Sequence, residues 1–167
     1  MEFKQVVGNR RSIRFFDPGK PVEREKIQII LETARLASSA VNAHWLRAIV
    51  VERDKLSPEK LAQLKTPVAA LTLDLAPVHI YFFVDLGIVT RIKGSRLKEL
   101  VDVGALAPTH GWSHKFVDDF VYPQILEPMT KNLQGYIGAA FADAGGAAQN
   151  ALLAAFDEGL GACLNTP

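Results

Sequence analysis

Apolar residues recur at spacings of three and four through Glu23–Ala37, where Ile27, Ile30, Leu31, Ala34 and Ala37 fall on one side. That period predicts an amphipathic helix. Glu23 and Glu25 occupy its first turn, the end of a helix that favours acids. A shorter pattern, Phe3, Val6 and Val7, predicts an opening helix over Phe3–Val7 that Gly8-Asn9 ends. Leu46–Val51 does not alternate, and its run Ala48-Ile49-Val50-Val51 predicts a central strand covered on both faces. Val78–Val84 (VHIYFFV) is the most strand-like run in the chain.

Between the two strands, Ser57 as cap and Pro58 in the first turn predict a helix that buries Leu61 and Leu64. Val68–Leu75 fits either a strand or a short helix. Arg96–Val103 fits a short helix. The rest of 86–135 reads as two short helices or a mobile cover, with Trp112, Phe116 and Phe120 as candidates to stack on a substrate. Tyr136–Glu158 predicts a long apolar helix with Gly159 as its cap. Its small residues, Ala139 to Ala148 with Gly145 and Gly146, make it narrow, which suits close approach of another backbone or a flat ligand. Leu160–Leu164 then begins a strand. Helices around a small sheet make an α+β, or mixed α/β, sandwich, and 167 residues without repeats or linkers are read as one domain, 1–167.

The formal net charge is only +1, which argues against broad nucleic-acid binding. The charge is uneven, however. Residues 1–50 hold nine Lys/Arg against five Asp/Glu, so the remainder is net negative. Positive charge is concentrated at Asn9-Arg10-Arg11-Ser12-Ile13-Arg14. Guanidinium forks and a short hydroxyl suit a compact polyanion such as phosphate. An adjacent turn with Pro18 and Pro21 carries Phe15 and Phe16, expected to pin it to the body of the protein. The single cysteine, Cys163, excludes an intramolecular disulfide framework and reads as a small buried residue. His110 and His114 lie four apart with no evident third ligand, so no metal site is expected. The N-terminus is no signal peptide, no apolar run is a convincing membrane span, and the cytoplasm is the expected compartment. Neither a GxGxxG turn nor a Walker loop is present. Asn42, in a loop of Ser and Ala between a helix and a strand, is placed to offer an amide to a planar ligand.

In order, Arg10-Arg11-Ser12-Ile13-Arg14-x-Phe16, then Pro21-Val22, then Ala37-x-Ser39-x-x-Asn42-x-His44 before an Ile-Val-Val strand, resemble the opening of the nitroreductase family of FMN-dependent oxidoreductases. Asp143-Ala144-Gly145-x-Ala147-x-Gln149-Asn150, with Leu152, Leu153, Ala155 and Gly159-Leu160-Gly161, resembles that family's central helix and following turn. The resemblance implies a homodimer with FMN at the interface, reduced by NADH or NADPH and oxidised by nitroaromatics, quinones or similar activated acceptors. It assigns the FMN phosphate and ribityl chain to Arg10, Arg11, Ser12 and Arg14, and the flavin ring to the loop of Ser38, Ser39, Ala40 and Asn42. No side chain is required as a catalytic nucleophile. Where the family usually has Pro, Gln, Pro and Trp, this chain has Ser38, His44, Trp45 and Leu46. The family also continues beyond the Gly159-Leu160-Gly161 turn with a strand, a helix and a tail. The expectation is therefore a nitroreductase-like sandwich with a central mixed sheet, lacking the usual C-terminal part. Its alternative function is a non-catalytic or weakly active flavin-binding or dimerisation protein.

Overall fold

The computed structural model describes residues 1–42, 44–88 and 94–165. Ala43 of the expected flavin loop, 89–93 of the expected cover and the last two residues lie outside them. The chain packs as two compact units. One comprises Met1–Ala37, Arg47–Phe83 and Ala144–Pro167; the other comprises Ser38–Leu46 and Val84–Asp143.

The first unit opens with α1, Phe3–Asn9, which buries only Val6. Helix α2, Arg24–Arg35, buries Ile27, Ile30 and Ala34, three of the positions its period marks. Strand β1, Leu46–Glu52, leads to α3, Pro58–Leu64, where the Ser57 hydroxyl accepts from the Lys60 N–H at 3.4 Å. The ambiguous stretch resolves as helix α4, Ala70–Leu75, and is followed by β2, Val78–Val84. Within α4 the Thr72 hydroxyl donates to the Ala69 carbonyl, which keeps a β-branched polar residue satisfied while it is buried.

At one end of the strand pair Arg53 N–H donates to Pro77 O at 2.9 Å; at the other, Asp85 N–H donates to Trp45 O at 2.8 Å. The first residue of one strand therefore faces the last of the other, and the pair is antiparallel, with Val51 opposite His79. Among the described residues β1 has no second neighbour. The expected burial on both faces is corrected accordingly: Ile49 is 55% exposed. Phe15 does not pin its turn either, being 77% exposed. The turn is held instead by Arg53, whose guanidinium donates to Pro18 O at 2.8 Å and to Asp74 O at 3.3 Å. Cys163 is half-buried and free.

The second unit has its own core, in which Trp45, Leu97, Val117 and Val121 are almost completely enclosed. Helix α5, Gly94–Asp102, contributes Leu97 and Leu100. An α turn, His114–Phe116, is capped by the Ser113 hydroxyl and runs into a π-helical stretch, Val117–Leu126, then into α6, Glu127–Lys131. Pro123 lies inside the π-helical stretch. It has no N–H and its ring crowds the α ladder, so a wider turn is the accommodating form. Glu127 N–H accordingly reaches back five residues to Tyr122 O. The segment read as two short helices or a mobile cover is thus helical where described and supplies much of the core of this unit.

Helix α7, Leu133–Asp157, runs for 25 residues. The fold expected to be shortened at its C-terminal side is corrected by the segment after this helix. Beyond Gly159, Ala162 pairs with Ser12 in an isolated parallel bridge, and Asn165 Nδ2 donates to Thr72 Oγ1 at 2.7 Å. Residues 162–165 are integrated rather than left as an unpaired strand, because Ala162 pairs with the segment after α1 and the Asn165 amide finds a partner on α4. No helix among the described residues is long and apolar enough to cross a membrane.

Candidate functional site

The arginine cluster begins where α1 ends. Arg10 N–H closes the helix on Val6 O at 3.0 Å. Arg11 turns back over it, its Nη1 donating to Gly8 O at 2.7 Å and to Arg10 O at 2.8 Å. Orphan carbonyls at a helix end need such donors, so this guanidinium is committed to the chain. Ser12 bridges to Ala162, and Ile13 N–H donates to Ala162 O at 3.1 Å. Arg11, Ser12 and Arg14 are exposed. Arg10 is different: its Nη1 is buried and has no hydrogen-bond acceptor. A buried charged donor without an acceptor is costly, and an anionic ligand would relieve it. That orphaned nitrogen fits a phosphate.

The predicted ring-binding loop is in the other unit. Residues Ala40–Asn42 form a single tight turn. Asn42 N–H donates to Ser39 O at 3.0 Å and His44 N–H reaches Ser39 Oγ at 3.4 Å. Asn42 and His44 both have left-handed backbone, with φ of 52° and 51°. Such conformations are sparsely populated by residues other than glycine and persist where neighbours over-determine them. The neighbour here is Asp143 on α7. Its Oδ2 accepts from Ala40 N–H at 2.8 Å and from the Trp45 indole Nε1 at 3.1 Å. Trp45 is enclosed and meets Tyr136 edge to face, with ring centroids 6.4 Å apart.

The Ala40 and Asn42 amide hydrogens are therefore spent inside the chain. The half-buried Asn42 amide and the Ser39 hydroxyl remain as donors for a planar ligand. Sequence reasoning took Asp143 only as part of a motif and Trp45 only as a departure. The available signal was that Asp143 is the single charged residue within the apolar body of its helix, and such a charge needs partners.

Trp112, Phe116 and Phe120 form a short aromatic ladder. Trp112 meets Phe116 edge to face at 5.6 Å, and Phe116 stacks on Phe120 at 5.5 Å. Phe120 is 48% exposed. His114 does not turn to His110: its Nε2 lies 2.7 Å from Asp102 Oδ1. Among the described residues no three His, Cys, Asp or Glu are placed to hold a metal ion.

Solved structures are similar over almost the whole of this chain. A nitroreductase family protein from Streptococcus pneumoniae TIGR4 superposes with a TM-score of 0.66 over 95% of this chain and 73% of that one, at 23% identity. The chain has the nitroreductase fold. A second structure, an FMN complex from Exiguobacterium sibiricum 255-15 named as a nitroreductase, superposes with a TM-score of 0.62 over 93% of this chain and 70% of that one, at 24% identity. Residues 7–78 match the nitroreductase family model, so the sequence match contains both the arginine cluster and the Ser38–Asn42 loop. YdgI of Bacillus subtilis (strain 168), named as an NAD(P)H nitroreductase, is 40% identical over 63 residues, which are 38% of this chain and 30% of that protein. The match thus spans less than a third of that relative's length. The expected lack of the usual C-terminal part is corrected here too, since the structural likeness runs over 93% and 95% of this chain.

Proposed function

We propose that this nitroreductase-like chain, as one domain over 1–167, is an FMN-dependent oxidoreductase that carries electrons from NAD(P)H to nitroaromatic, quinone or similar activated acceptors. The observation that carries the proposal is the buried Arg10 Nη1 without an acceptor, in a cluster that sequence pattern alone marks for phosphate. FMN, when bound, supplies the hydride uptake and electron delivery.

The chain's own residues bind and orient. Arg10, Ser12 and Arg14 hold the phosphate and ribityl chain, and Arg11 holds the segment in shape from the end of α1. Asn42 offers its amide to the ring, as a preorganised donor aimed at negative charge that develops on reduction. Ser38, Ser39 and Ala40 form the wall of the same loop, Ala40 through its shape because its N–H is already bonded to Asp143. No nucleophile is needed.

A homodimer with FMN at the interface is the proposed assembly. A Cβ at Gly138, Gly145 or Gly146 would meet nothing within 4 Å in this chain, and Phe141 is 62% exposed. These small positions on α7 fit the close approach of a second copy. Small molecules rather than nucleic acid or membrane are the partners, and the cytoplasm is the proposed site of action.

The test is an absorption spectrum of the purified protein, with FMN added, before and after NADPH or NADH under nitrogen. Flavin absorption that bleaches and returns on adding a quinone or nitroaromatic acceptor supports the proposal. Bound flavin that neither nucleotide bleaches would make the protein a flavin binder without turnover. Failure to bind FMN would overturn the proposal.

A further inference from the structure

We infer that Asp143 is the positioning residue of the Ser38–Asn42 loop, a single carboxylate oxygen that holds the chain at Ala40 within the loop and at Trp45 just beyond it. The inference rests on the flavin reading of that loop. Its geometry is independent of any ligand.

Oδ2 of Asp143 receives two donors, the backbone N–H of Ala40 within the loop at 2.8 Å and the indole N–H of Trp45, three residues past it, at 3.1 Å. Between those two donors lie Asn42 and His44, the two non-glycine residues with left-handed backbone among the described residues. Hydrogen bonds to an ionised acceptor are the stronger kind, and a shared acceptor ties the two donors to one point. That point is rigid. Tyr136, Ala140 and Asp143 are spaced by four and three along α7, which puts them on one face of the helix. Tyr136 and Ala140 belong to the enclosed core of this unit, and Tyr136 braces Trp45 edge to face. The loop is thus locked to the helix by Asp143 on its polar side and by Trp45 on its apolar side. Asp143 need not touch the ligand: its effect passes through the angle at which Asn42 is presented.

Three variants of the full chain test this: Asp143→Ala, which removes the acceptor, Asp143→Asn, which keeps an acceptor oxygen, and Trp112→Phe, which leaves Trp45 as the only tryptophan. In the Trp112→Phe background without FMN, Asp143→Ala is expected to shift the Trp45 emission to longer wavelength, while Asp143→Asn keeps it near the parent. With FMN, Asp143→Ala is expected to weaken binding about tenfold and to move the flavin midpoint potential, with Asp143→Asn within about threefold of the parent. Should Asp143→Ala fail to fold, Trp45→Phe removes one donor and is read by the same FMN affinity and potential. Unchanged Trp45 emission in Asp143→Ala would overturn the clamp itself. Shifted emission with FMN affinity and potential unchanged would overturn its role at the loop. A parent protein that binds no FMN at all would instead overturn the flavin reading, while the emission measurement would still report on the clamp.

Discussion

Gly161 lies against Ile13: a Cβ at Gly161 would stand 3.1 Å from both Cβ and Cγ2 of Ile13. Ile13 is the residue that interrupts the arginine cluster, and its N–H is bonded to the neighbouring Ala162 carbonyl. The absence of a side chain at Gly161 therefore sets how closely the C-terminal segment approaches Ser12 and Arg14. Gly161→Ala is expected to destabilise the protein by about 1–2 kcal/mol through overpacking and to weaken FMN binding. Urea unfolding and a flavin titration check this. An alanine variant with wild-type values in both would show that the contact yields without consequence.

The four candidate phosphate ligands separate into two roles, and Arg10 and Arg11 should behave oppositely. Arg10→Met keeps an apolar stem and removes an unsatisfied buried nitrogen. The apo-protein is expected to be as stable as wild type or more so, by up to about 1 kcal/mol, while FMN affinity falls about tenfold or more. Arg11→Ala removes two hydrogen bonds to the carbonyls of Gly8 and Arg10. Stability is expected to fall by about 0.5–1 kcal/mol, with a smaller effect on FMN. If both variants lose FMN equally and neither changes the urea midpoint, the assignment of roles is wrong.

Asn42 has a backbone requirement besides its chemistry. Its φ of 52° disfavours alanine and suits glycine. Asn42→Gly is expected to be more stable than Asn42→Ala by about 1 kcal/mol. Both variants lose the amide, so both should shift the flavin potential in the same direction. Thermal melts rank the pair, and equal melting would mean that the left-handed turn is not maintained in solution.

His79 should give the fold a pH dependence below neutrality. Burial lowers its pKa from the ordinary 6.5, the Arg53 charge adds to this, and hydrogen bonds with the Leu73 and Ala76 carbonyls oppose it. Its Nε2 and the Arg53 Nε are both buried without partners. Because the folded ring resists protonation, the unfolded chain binds the proton more readily. The contribution is complete above 6.5 and is lost as pH falls through 6.5 toward the lower folded value. Urea midpoints measured from about pH 7.5 to about pH 5 should fall more steeply for wild type than for His79→Leu. Parallel slopes would remove His79 as the cause.

The helices were legible because their periodicity is a local property. Ile27, Ile30 and Ala34 are buried in α2 as their spacing requires, and Ser57-Pro58 starts α3 as its cap chemistry requires. The arginine cluster and the Ser38–Asn42 loop were legible as residue types. Their division of labour was not. Nothing in Arg10-Arg11 says which guanidinium is spent on a helix end and which is left without an acceptor, since that depends on where α1 stops and what surrounds it. The stretch after β2 misled because the π-helical path around Pro123 has no simple apolar period.

Local pattern was enough to set the elements with a clean period, the concentration of positive charge near the first turn, and the residues proposed to grip a phosphate and a planar ring. Packing of remote segments was needed to integrate residues 162–165 through Ala162 and Asn165, to leave Ile49 of β1 exposed, and to bring Ala40 and Trp45 to one oxygen of Asp143. The reason is distance along the chain. Caps and periods act within a few residues, whereas a hydrogen bond from residue 40 to residue 143 exists only once two distant segments have been packed together, and its partner cannot be chosen from composition or spacing.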